Sequence, residues 1–99
     1  MFLAHAVVLA EARSYLAALA DRAHTLDGGL EYERVLLQLD WLHGGTAPAC
    51  TAVPVEDPVV LHEVACRAIG DLEVHGVDQL GLEICLAMLE AARVLDTRS

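Results

Sequence analysis

Apolar residues recur along most of the chain in alternating steps of three and four, the spacing that keeps side chains on one face of a helix. Phe2, His5, Leu9, Ala12, Leu16, Leu19, Ala23 and Leu26 form the first such stripe, and Gly28-Gly29 follows as a stop, which predicts a helix over about 2–26. Tyr32, Val35, Leu36, Leu39 and Leu42 predict a second over about 30–43, closed by Gly44-Gly45. The stretch 44–56 holds Pro48 and Pro54 and no helical period, so it reads as the one long connection. Asp57-Pro58 then starts a third helix over about 58–75: Asp57 caps free N–H groups and Pro58 fits the first helical position. Its stripe is Leu61, Val64, Ala65, Ala68, Ile69 and Leu72, and Gly76 ends it. Asp78 caps a fourth helix over about 78–96, whose core stripe reads as Leu80, Ile84, Ala87, Met88, Ala91, Val94 and Leu95. No segment alternates at period two for long enough to make a strand.

The expected fold is therefore all-α: one domain over 1–99, made of two antiparallel helical hairpins joined by a long loop, as a bundle or a two-layer stack. Two helices carry a second apolar stripe. At about 100° per residue, Leu82, Leu86 and Leu89 point away from the stripe assigned to the core of helix 4. Leu30, Leu37 and Trp41 do the same on helix 2, and both sets have polar flanks. Either the loop 44–56 and neighbouring helices cover these stripes inside one molecule, or they form a contact surface for a second copy or another protein. The favoured expectation is a contact surface, with Trp41 as its anchor.

Composition narrows the function. With 56% hydrophobic residues, the 99-residue chain has too much apolar surface for a disordered protein. Its formal net charge is −9, and its six basic residues are scattered arginines with no lysine. Phosphate backbones and anionic lipid need clustered cations, so nucleic acid and membrane surfaces are not expected partners, and a P-loop is excluded. An acidic chain suits a basic protein partner instead. Cys50, Cys66 and Cys85 are an odd set without a CxxC, which points to free thiols in a reducing cytoplasm. The N-terminal stripe lacks a basic leader and is interrupted by Glu11 and Arg13, so neither a signal peptide nor a membrane span is expected. The richness in Ala, Leu, Val and Arg, with no Lys or Asn, gives a bacterial impression.

Candidate chemistry is sparse. Ser14 and Ser99 are the only serines and neither sits in a nucleophile motif, and there is no HExxH or glycine-rich dinucleotide loop, so an enzyme is not expected. The five histidines stand out. In an up-down bundle His5, His43 and His62 share one end, and His24 and His75 the other. With Cys50 and Cys66, the first group offers zinc a set of N and S ligands: His5, His43, Cys50, His62 and Cys66. The leading expectation is a small acidic, non-enzymatic interaction module that forms a homodimer, such as an adaptor, small chaperone or regulatory subunit. It needs no cofactor. The rival is a metal- or ligand-binding bundle that uses zinc.

Overall fold

A computed structural model describes residues 2–97; Arg98 and Ser99 lie outside the described residues. The architecture is all-helical, with no strand among the described residues. Helix α1 spans Leu3–Asp21, α2 Leu26–Leu42, α3 Pro58–Asp71 and α4 Gln79–Thr97, and a 3-10 turn, Leu72–His75, extends α3.

Capping chemistry sets most boundaries. The Asp57 carboxylate accepts from Val59 N at 3.0 Å, and Pro58 opens α3. Gly76 adopts φ 84° after the 3-10 turn, so that Val77 N reaches back to Leu72 O at 3.4 Å. Asp78 accepts from Gly81 N at 3.0 Å and starts α4. Gly44 and Gly45, both at positive φ, end α2.

The turn between α1 and α2 departs from the expected one. The first helix stops at Asp21, not Leu26, and the second begins at Leu26, not Leu30. Gly28-Gly29 stops nothing: both residues lie in the first turn of α2. Thr25 decides the boundary, because its hydroxyl accepts from Gly28 N at 2.9 Å as an N-cap. Asp96, near the end of α4, accepts from Thr25 N (2.9 Å), His24 N (3.1 Å) and the Thr25 hydroxyl (3.1 Å). A Cβ on Gly28 would collide with that carboxylate, so glycine stands here for close approach.

After Gly45 the chain leaves helical geometry and climbs along α1. Arg13 holds its lower part: the guanidinium grips Asp40 of α2 at 2.7 and 3.1 Å and donates to Pro48 O. At the next residue of α1, Thr51 N donates to Ser14 Oγ at 3.0 Å. Higher still, Arg22 donates to Val53 O at 3.0 Å, and the Val53 side chain is buried in the core. The climb returns the chain to the end where α2 began. Helix α3 therefore runs antiparallel to α1, and the order is up, down, down, up. Helix α1 packs on α3 and α2 on α4, while α1–α2 and α3–α4 are the hairpin contacts. This is the two-layer stack, with α2 and α4 side by side.

Leu9, Leu16, Leu39, Leu61, Ile69, Leu72 and Leu89 are fully buried between the layers. By length and composition α1 meets the test for a membrane span, contrary to expectation. In the fold it packs against α2 and α3: Leu9, Ala12, Leu16 and Leu19 face the core, and the loop lies along it.

Two outcomes follow. Replacing Arg13 with Met strands Asp40, whose side chain is only 23% exposed. This should cost about 2–3 kcal/mol in urea unfolding and speed proteolysis within 46–56. Unchanged stability and cleavage would show that the loop is held by other contacts. For Asp96, burial raises the carboxyl pKa, but the hydrogen bonds from His24 and Thr25 outweigh it and hold the group below its ordinary 3.8. The unfolded chain therefore binds the proton more readily. The stabilisation is complete above the ordinary carboxyl value and is lost as pH falls through the folded one. Asp96→Asn should cost about 2 kcal/mol at neutral pH, and its deficit should shrink below about pH 4 in acid titrations followed by circular dichroism.

Candidate functional site

Helix α4 buries the face opposite to the one expected. Leu82 is 3% exposed and Leu89 0%, and Cys85, Ala92 and Asp96 lie beside them in the core, with Leu86 partly buried. The expected core stripe is the outer one: Leu80, Ile84, Ala87, Ala91 and Val94 are exposed, and Met88 and Leu95 are half-buried. The reason lies in the neighbours. Gly81 brings α4 close against Leu42 of α2, and Asp96 must reach Thr25, so both ends of α4 are held in one rotation. On α2 the expected faces hold: Tyr32, Val35 and Leu39 are buried, while Leu30, Leu37 (67%) and Trp41 (74%) are exposed.

Because α2 and α4 share a layer, their outer stripes form one surface. Leu37 and Trp41 flank a shallow groove with Arg34, Gln38 and Met88. Further along, Glu31 of α2 borders Ala87, Ala91 and Val94 of α4. The loop 44–56 lies against α1, so it is not the cover considered for this surface. The two arginines at its margins are paired along their own helices: Arg34 with Glu31 at 3.0 Å, and Arg93 with Glu90.

The histidines regroup as well. His5 and His43 meet as expected, but the third ring beside them is His75, not His62. His5 Nε2 lies 3.0 Å from His43 Nε2, and the His75 ring stacks on His5 at 5.2 Å between centroids. His62 lies at the other end with Cys66 of its own helix, Sγ to Nδ1 3.7 Å, and with Glu90 of α4 at 3.7 Å. Cys50 is exposed on the loop, 3.6 Å from Arg13. The five expected metal ligands are therefore divided among separate places. Among the described residues no group of three or more His, Cys, Asp or Glu side chains has the arrangement of a metal site.

At the His62 end a cleft of about 310 Å³ opens between Tyr32, Pro58, Val59, His62, Arg93 and Asp96. Burial, then Asp96, pushes the Tyr32 phenol up to about 12, so it stays a neutral donor. Burial also raises the Cys66 thiol and lowers the His62 imidazole. Both shifts favour neutral partners over the thiolate–imidazolium pair of a cysteine nucleophile. No sequence signal announced this cleft, because its walls come from the ends of α2, α3 and α4, which only the fold brings together.

No family model, curated protein or solved structure matches the chain.

The three cysteines are all free but differ in access. Cys50 is exposed, Cys66 is half-buried, and burial pushes the Cys85 thiol up to about 11. Thiol labelling of native protein in reductant-free buffer should consume Cys50 fast and Cys66 slowly, and should reach Cys85 only on unfolding. Labelling of Cys85 in the folded protein at the Cys50 rate would contradict this packing of α4.

Proposed function

We propose that this protein is a small acidic, non-enzymatic interaction module that pairs with a second copy of itself through the outer face of α2 and α4. The observation that carries the reading is the combined apolar surface of Leu30, Leu37 and Trp41 with Leu80, Ile84 and Val94. Single exposed leucines are ordinary, but two adjoining stripes with an exposed tryptophan mark a contact site. Burying such side chains is worth about 1.5–3 kcal/mol each before the costs of association, so a few pairs suffice for a dimer.

Charge opposes pairing in general, since each chain carries −9. At this face the opposition is reduced, because Arg34 and Arg93 partner Glu31 and Glu90 on the spot. A two-fold axis across the face sets each stripe against its own copy or against the other. Such a dimer has the character of an adaptor or regulatory subunit, and its acidic remainder suits a basic protein partner. The free thiols fit a reducing cytoplasm.

Light scattering after size exclusion tests the reading. Wild type should run at twice the 10.6 kDa chain mass at tens of micromolar, and more completely as salt rises. Trp41→Glu with Ile84→Glu should give a folded monomer with an unchanged helical spectrum. A monomeric wild type at high micromolar concentration overturns the proposal. A folded double mutant that stays dimeric moves the interface elsewhere.

A further inference from the structure

The cleft at the His62 end holds two buried polar groups whose hydrogen-bonding capacity the protein leaves partly unused. Tyr32 is only 3% exposed and lines the cleft from α2. Among the described residues its hydroxyl forms no hydrogen bond, although no fully shielded side-chain oxygen or nitrogen goes unpartnered. The hydroxyl therefore opens onto the cleft. Asp96, likewise buried, lines it from α4. Its Oδ1 accepts from Thr25 N and the Thr25 hydroxyl, and its Oδ2 accepts from His24 N. A carboxylate offers about four acceptor positions, so one on Oδ2 is unused. Buried polar groups are nearly always paired, and an exception that faces a cavity calls for something to fill it.

The charge around the cleft selects a cation. Glu63 stands exposed on the rim beside the Asp96 carboxylate. Arg93 also lines the cleft, but its guanidinium already donates to both carboxylate oxygens of Glu90. An incoming anion would have to break that pair. The start of α3 would draw an anion, yet Asp57 caps Val59 N there and Pro58 has no N–H to offer. Burial keeps the His62 ring neutral, so it does not repel a cation. The net charge of −9 attracts cations to the chain as a whole. Pro58, Val59 and the Tyr32 ring supply apolar wall. The volume of about 310 Å³ is at the small end for ligand pockets, with room for one ring and a short tail.

We propose that this cleft binds a small primary amine with an aromatic or alkyl body. The ammonium donates to the Tyr32 oxygen and to Asp96 Oδ2, which are the two unused acceptors. Glu63 adds attraction at the rim, and the apolar body lies against Pro58 and Val59. The neutral phenol suits this role, because its oxygen accepts from the ammonium while its own proton stays in place.

The test titrates the full chain with phenethylamine at neutral pH and follows backbone and ring signals by NMR. Phenylpropionate and phenylethanol serve as probes of similar shape, one anionic and one neutral. A ligand this small should bind with Kd about 1 mM, with saturable shifts centred on Tyr32, Val59 and His62. The anionic and neutral probes should each bind at least tenfold more weakly. Tyr32→Phe should weaken the amine about tenfold, and Glu63→Gln about threefold. Glu73→Gln, at the far end of the molecule, should leave binding unchanged. Glu63 and Glu73 are exposed, so these two variants report even if Tyr32→Phe fails to fold. No saturable shift at the cleft, or equal binding of phenylpropionate, overturns the proposal. So does amine binding that neither Tyr32→Phe nor Glu63→Gln weakens.

Discussion

The architecture depends on how the stretch after Gly45 is held against α1. Arg13 ties α1, α2 and the loop at one point, and Ser14, Arg22 and the buried Val53 carry the attachment along the helix. Extended chain of this length reaches about 40 Å, well beyond the about 25 Å of the 17-residue α2. The loop can therefore return to the starting end of α2, and Pro48 and Pro54 favour the extended backbone this needs. Once it does, α3 must run down beside α1, and α4 up beside α2. The same contacts decide which histidines meet, which face of α4 is buried, and that α2 and α4 share a layer.

The layer in turn explains the outer surface. In a square bundle of sequential neighbours, α2 and α4 sit on a diagonal and their second stripes face apart. Here they are adjacent and antiparallel, with Leu42 against Gly81 at one end and Gly28 against Asp96 at the other. Glycines at both contacts let the helices approach closely. Leu30, Leu37 and Trp41 of α2 thereby come to lie on the same side as Leu80, Ile84 and Val94 of α4, next to arginines paired with neighbouring glutamates.

The two ends of the molecule differ in their polar chemistry. At the His62 end, burial suppresses charge: the thiol stays protonated, the imidazole neutral and the phenol a donor. At the other end, burial first and then repulsion from His43 and His75 lowers the His5 pKa. The Leu39 carbonyl accepts from His43 Nδ1, so that His43 Nε2 accepts from His5. One end is thus an open cleft beside a neutral thiol and imidazole, and the other a histidine pair joined by a hydrogen bond.

Local sequence determined the helices themselves. Periodicity and the caps at Asp57, Gly76 and Asp78 act over one or two turns, so they are readable without the rest of the molecule. The same holds for the outer stripe of α2, where one face is clearly richer in core residues than the other. The α1–α2 turn is not legible locally, because Gly28-Gly29 resembles a stop while the reason for its glycine, the carboxylate of Asp96, lies far along the chain. On α4 two apolar stripes of similar strength compete, and nothing local separates them. Contacts with Leu42 and Thr25 choose Leu82 and Leu89 for the core and leave Ile84 and Val94 outside. The grouping of His5 and His43 with His75 rather than His62 was likewise settled by the direction of α3. That direction is a property of long-range contacts between the loop and α1, which periodicity along one helix does not encode.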